Sequence, residues 1–195
     1  MPVRRKLTRG RNLSDIVDSL LFKACAEGTV LGVISDAHSG MVVGRPTVVT
    51  DSLVSLLLVD DRGKSDGVMW LPLDSILEVR SRTPYLDALL VAGAQHPQGA
   101  LAKSEVPQLE RTHGIGELLS WIALRNLFVN LGRAGSTYVH AKVVGVDDCS
   151  LSYEQYSTEY DFEGLYRIHQ DEISFVEYGS KELLLLEQIS ASPEG

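Results

Sequence analysis

The side chains able to do chemistry are scattered along this chain. Five histidines, His38, His96, His113, His140 and His169, show no metal-ligand spacing. His38 and His96 read as loop residues, His140 and His169 as residues in or beside strands. The acidic pairs Asp60-Asp61 and Asp147-Asp148, with Asp161 and Glu163, fall at strand ends and in loops, where carboxylates usually form solvated turns. Enzyme chemistry needs a nucleophile beside a base, or paired carboxylates in a cleft. No GxSxG, HExxH or phosphate-binding loop occurs, and Gly32, Gly40 and Gly44 accompany strands rather than a strand-to-helix turn. The expectation is a non-enzyme with no catalytic, cofactor-binding or metal-ligating residue.

Two stretches suit binding instead. Arg4, Arg5, Lys6, Arg9 and Arg11 crowd the first dozen positions, and Thr8-Arg9-Gly10-Arg11 reads as a flexible basic arm able to contact single-stranded RNA. The rest of the chain carries 13 Lys/Arg against 26 Asp/Glu, a net of −13, which repels phosphate backbones. Tyr153, Tyr156, Tyr160, Phe162 and Tyr166 form an aromatic run beside Arg167 that suits base stacking. The acids around it, Glu154, Glu159, Asp161 and Glu163, favour core filling or a protein partner.

The elements that must hold these residues follow from hydrophobic period. Asn12 or Ser14 is placed to cap a helix over Asp15–Ala26, with Ile16, Leu20, Leu21 and Ala24 at helical spacing. A second helix reads over Glu117–Arg125. After each, the period becomes that of strands. The first set is Val30–Ile34, Met41–Val49, Leu53–Val59, Val68–Leu71 and Ile76–Arg80. The second is Leu127–Leu131, Tyr138–Val146, Leu151–Tyr156, Gly164–Ile168 and Ile173–Tyr178.

The two sets align without a gap when the chain is shifted by 97 positions, so that Val42 meets Val139, Asp51 meets Asp148, Gly67 meets Gly164, Asp74 meets Asp171 and Leu86 meets Leu183. Gly67 and Gly164 suit the entry to a strongly bent strand; Asp74 and Asp171 are expected to cap backbone N–H groups. The organisation expected is a basic tail (1–12), a first unit (13–91), a linker rich in Gly, Pro and polar residues (92–114), a second unit (115–190) and a disordered end (191–195). The fold class is mainly β: two five-stranded bent-sheet barrels, each preceded by a helix, related by internal duplication. Cys25 and Cys149 are not equivalent between the sets, which points to buried free thiols rather than a disulfide. No apolar run is long enough to span a bilayer and no signal peptide is seen, so a cytoplasmic location is expected.

The second set, Leu127-Phe128-Val129-Asn130-Leu131-Gly132, then Ala141–Asp148, Gly164–Ile168 and Glu172–Val176, resembles Sm/LSm domains, a family of SH3-like small barrels. The first resembles them through Met69–Val79. The resemblance implies a helix plus a bent five-stranded sheet, and rings built by pairing the fourth strand of one subunit with the fifth of the next. It also implies a uridine pocket made by Asp-x-x-x-Asn after strand two and Arg-Gly between strands four and five. This chain has Asp51–Ser55 and Asp148–Ser152 at the first place, with Ser for Asn. At the second it has Ser75-Ile76-Leu77 and Glu172-Ile173-Ser174, without Arg-Gly, so the amide and cation for base and phosphate are missing. The role expected is therefore a non-catalytic binding and assembly module that forms homo-oligomers through strand edges, with a protein partner, and with RNA binding by the basic tail as the alternative.

Overall fold

A computed structural model describes residues 11–94, 114–133 and 138–191. The chain runs α1 (Arg11–Glu27), β1 (Leu31–Ser35), β2 (Met41–Val49), β3 (Leu53–Val59), β4 (Ser65–Pro72), β5 (Ile76–Arg80) and α2 (Pro84–Ala94). It continues as α3 (Ile115–Arg125), β6 (Phe128–Arg133), β7 (Tyr138–Val146), β8 (Ser150–Tyr156), β9 (Phe162–His169), β10 (Ile173–Tyr178) and α4 (Lys181–Ala191). Short 3₁₀ turns, Leu73–Ser75 and Gln170–Glu172, precede β5 and β10. The chain is mainly β, as its alternating pattern predicts. The spacing of 97 residues holds element by element: β2 and β7, β3 and β8, β4 and β9, and α2 and α4 start and stop in step.

The strands form one sheet rather than two closed barrels, which corrects the expected architecture. Its order is β5-β1-β2-β3-β4-β10-β6-β7-β8-β9, with antiparallel pairings throughout. Each set of five has the same internal order, fifth-first-second-third-fourth, and neither closes on itself. The fourth strand of the first set spends its free edge on the fifth of the second: Trp70 lies opposite Val176, Met69 opposite Glu177 and Val68 opposite Tyr178. An unpaired strand edge is satisfied by the nearest complementary edge, and here that edge belongs to the same chain.

Two cores lie on either side of this junction, one taking several residues and the other a single residue from the opposite half. Trp70, Leu53 and Leu57 pack with Leu118, Leu119 and Ile122 of α3 and with Val129, Tyr153 and Val176. Phe175 of β10 packs with Val17 and Leu21 of α1 and with Val33, Leu56 and Leu71. The buried face of α1 is Val17, Leu21 and Ala24, while Ile16 is exposed, one step round the helix from the stripe expected.

Several boundaries shift for local reasons. The helix begins at Arg11, ahead of the expected cap, because a side-chain cap is worth only about 1 kcal/mol and Arg and Leu extend helices well. Arg11 thus belongs to α1 rather than to the tail; the other basic tail residues, Arg4, Arg5, Lys6 and Arg9, lie outside the described residues. Helices α2 and α4 stand where no element was expected; α2 runs on into the first residues of the expected linker, and α4 ends on the first residue of the expected tail. The signal for α2 was present: Thr83 Oγ1 accepts the N–H of Leu86 at 3.1 Å, and Pro84 sits at the first helical position. Both helices bury a pair three residues apart, Leu86 and Leu89 against Val43, and Leu183 and Leu186 against Phe128. Most of the expected linker, residues 95–113, and residues 192–195 of the expected C-terminal tail also lie outside the described residues.

Candidate functional site: two free sheet edges

Pairing β4 with β10 leaves β5 and β9 as the two ends of the sheet. They correspond by position to the two strands joined in the middle, since β5 is to the first set what β10 is to the second, and β9 what β4 is. In the middle, Val68 and Met69 are 0% and 2% exposed. Their counterparts on β9, Leu165 and Tyr166, are 67% and 41% exposed. Ordinary surface strands alternate apolar-in and polar-out; β9 instead presents Phe162, Leu165, Tyr166 and Arg167 to solvent. On β5, Leu77, Glu78 and Arg80 are exposed.

The edges differ in charge. Arg80 makes a bidentate contact with Glu78, Nε to Oε1 at 2.8 Å and Nη2 to Oε2 at 3.0 Å, and exposed Arg82 follows. That pairing holds the Glu78 carboxyl below its ordinary range and the Arg80 guanidinium above its own. The loop into β9 carries exposed Glu159 and Asp161, β9 itself carries exposed Glu163, and Gln155 Nε2 donates to Glu163 Oε2 at 2.6 Å.

The internal junction shows how such edges are finished. Gly67 takes φ +86°, and a Cβ there would lie 2.8 Å from Ser180 N and Tyr178 O. Only glycine lets the two backbones approach so closely. Gly164, at the matching place on β9, takes φ +145° and faces open space apart from the Tyr166 ring at 3.5 Å. Lys181 then crosses from α4 to the β3–β4 hairpin, with Nζ 2.6 Å from Asp60 Oδ2 and its N–H donating to Asp66 Oδ1 at 3.1 Å. Beside this, Glu177 and Asp66 line a cavity of about 210 Å³. Burial, and after it the Asp66 and Glu182 charges, push the Glu177 carboxyl up, against the opposing influence of the nearby Ser180 and Asn130 side chains. Asn130 Oδ1 lies 2.7 Å from His140 Nδ1, and His140 Nε2 lies 3.4 Å from Glu182 Oε1.

Several other residues singled out from sequence have structural partners, while His96 and His113 lie outside the described residues. His38 packs edge-on against Phe175, and burial lowers its pKa. His169 and Glu172 form the cap of the Gln170–Glu172 turn. His169 Nδ1 accepts the N–H of Asp171, and Glu172 Oε1 accepts that of His169, both at 3.2 Å. This corrects the capping role expected of Asp171 and, with no side-chain cap on Leu73–Ser75, of Asp74. The turns after β2 and β7 are likewise held one residue earlier than Asp51 and Asp148. Thr50 Oγ1 accepts the N–H of Leu53 at 2.9 Å, and Asp147 Oδ1 that of Ser150 at 2.8 Å. Ser150 Oγ, the turn N–H groups and Arg167 hold the Asp147 carboxyl down to about 2. Cys149 sits on this turn and is exposed, while Cys25 is half-buried; both are free thiols, as expected, but neither is fully buried, which corrects that part of the expectation.

The aromatic run divides between two faces. Tyr153 is fully buried and Tyr166 stacks on it at 5.9 Å, while Tyr156 packs between Phe128 and Phe162. Burial and Glu154 push the Tyr156 hydroxyl up to about 12. Ser55, where the uridine pocket needs an amide, is buried and 2.9 Å from Thr47 Oγ1. Among the described residues, no group of three or more His, Cys, Asp and Glu is placed to hold a metal ion, and no helix is long and apolar enough to cross a membrane. The chain matches no protein-family model, no curated protein and no solved structure.

Proposed function

We propose that this protein is a non-catalytic assembly module: two Sm-like units in tandem that join copies of the chain by pairing the β9 edge of one with the β5 edge of the next. The observation that carries the reading is the contrast between β4 and β9. The same positions that are buried at the internal junction, Val68 and Met69, are occupied on β9 by apolar or aromatic Leu165 and Tyr166, left in solvent. A long, partly apolar open edge is an aggregation liability unless something covers it, and closing a ring removes every edge at once. The head-to-tail arrangement follows from the two edges being different surfaces, because such a contact generates a ring or a filament rather than a two-fold dimer. The recurrence of the strand order and of the 97-residue spacing supports descent from one copied unit.

Light scattering on the full chain tests the proposal. Particles of a whole-number multiple of 21.4 kDa are expected, and Leu165→Glu combined with Tyr166→Glu reduces them to single chains while leaving the circular dichroism spectrum unchanged. A single-chain particle for the unsubstituted protein at millimolar concentration overturns the reading.

A further inference from the structure

The internal junction fixes what a copy-to-copy contact between β5 and β9 must look like if it obeys the same geometry. Moving each partner by 97 positions turns Trp70 opposite Val176 into Arg167 opposite Val79, Met69 opposite Glu177 into Tyr166 opposite Arg80, and Val68 opposite Tyr178 into Leu165 opposite Ser81. Gly164 then stands where Gly67 stands, and its open space is where the backbone of the neighbouring copy arrives. The side-chain pair beside this contact changes sign. Inside the chain, Glu177 and Asp66 share the junction cavity as like charges. Their counterparts are Arg80 and Glu163, a cation and an anion, both exposed; among the described residues Arg80 contacts Glu78 and Glu163 contacts Gln155, each on its own half.

We propose that Arg80 of one copy pairs with Glu163 of the next, in the register of the internal junction, and that this pair fixes the copy-to-copy contact and makes it reversible by salt. The proposal rests on the edge-to-edge reading above and adds its register, its partner residues and its control. Exposed Arg82 on the β5 side and Glu159 and Asp161 on the β9 side reinforce the complementarity and steer the encounter. The internal junction has Trp70 and a fully covered edge, so salt leaves it intact. The copy-to-copy junction carries Arg167 at the tryptophan position, so it is the weaker and the more polar of the two.

The test is a charge swap on the full chain, read by light scattering at about 50 mM and 500 mM salt, around the range over which exposed charges become screened. R80E alone and E163R alone each weaken the contact by about tenfold or more at low salt, because each places like charges at the junction. R80E and E163R combined in one chain restore assembly, since every junction then joins opposite charges whatever the number of copies. The unsubstituted protein dissociates by several-fold on going to high salt. Circular dichroism spectra like that of the parent show that both variants are folded, and R80A in place of R80E gives an intermediate loss. If the unsubstituted chain assembles but R80E assembles equally well, or the double variant fails to recover, the pairing is wrong while edge assembly stands. If the unsubstituted chain is single at both salt concentrations, edge assembly itself fails.

Discussion

Lys181 Nζ lies 2.6 Å from Asp60 Oδ2, tying the first turn of α4 to the β3–β4 hairpin of the other half of the sheet. The same carboxylate accepts the backbone N–H groups of Lys64 at 2.8 Å and Arg62 at 3.0 Å. Burial pushes its pKa up, but these three donors together hold it below its ordinary value, and Lys181 is raised in turn. Asp60→Ala is expected to cost about 1–2 kcal/mol, because it strips the hairpin of its internal acceptor as well as the ion pair. Lys181→Ala is expected to cost about 0–1 kcal/mol, since that side chain is largely in water. The folded pKa of Asp60 is lowered, so its contribution is present above the unfolded value near 3.8 and is lost as pH falls through the folded value. Urea denaturation at pH 7 and pH 3 shows whether the gap between parent and Asp60→Asn narrows on acidification.

Glu177 runs the opposite way. Its folded pKa is raised above the ordinary 4.5, so its favourable contribution is complete below that value and is lost as pH rises through the folded one. At pH 7 the buried charge is a burden. Glu177→Gln is therefore expected to be more stable than the parent at neutral pH, and its advantage fades as pH drops through the folded value and is spent below about 4.5. A constant difference across that range, measured by chemical denaturation, contradicts the assignment of burial as the cause.

Trp70 is the largest side chain at the junction and is fully buried among residues of both halves. Trp70→Ala is expected to cost about 3–5 kcal/mol. Because its core is shared, the parent is expected to unfold in one transition by near-ultraviolet and far-ultraviolet circular dichroism alike. Two separated transitions in the parent would mean that the halves hold their structure independently.

Gly67 and Gly164 both have positive φ, but only Gly67 faces a backbone across the junction. Alanine at either position carries about 1–3 kcal/mol of backbone strain. Gly67→Ala adds a clash with Ser180 N and Tyr178 O that rigid backbone cannot relieve cheaply. The melting temperature of Gly67→Ala is therefore expected to fall further than that of Gly164→Ala. Equal shifts, measured on single-chain samples, would remove the close approach as the reason for glycine at 67.

The strands β2, β3 and β5 and the β7 and β10 strands of the second set were readable residue for residue, because period-two alternation and bounding turn residues act locally. Local chemistry also located the turn at Asp147-Asp148; both residues are acidic, and only geometry gives the N–H groups to Asp147. Helix α4 was harder to see. Leu183-Leu184-Leu185-Leu186 has no polar break, so its buried pair, Leu183 and Leu186, stands out only once Phe128 is beneath it.

The amino-acid order by itself determined the ten strands, helices α1 and α3, the 97-residue recurrence and the mainly β class, since each depends on contacts between residues near in sequence or on self-similarity along the chain. Which edges pair was decided only in three dimensions. Both β4 and β9 read as interior strands, rich in apolar and aromatic residues, and nothing in either stretch says which one meets β10. That choice depends on backbone hydrogen bonding between segments about a hundred residues apart, and it is what buries Trp70 and leaves Leu165, Tyr166 and Arg80 facing solvent.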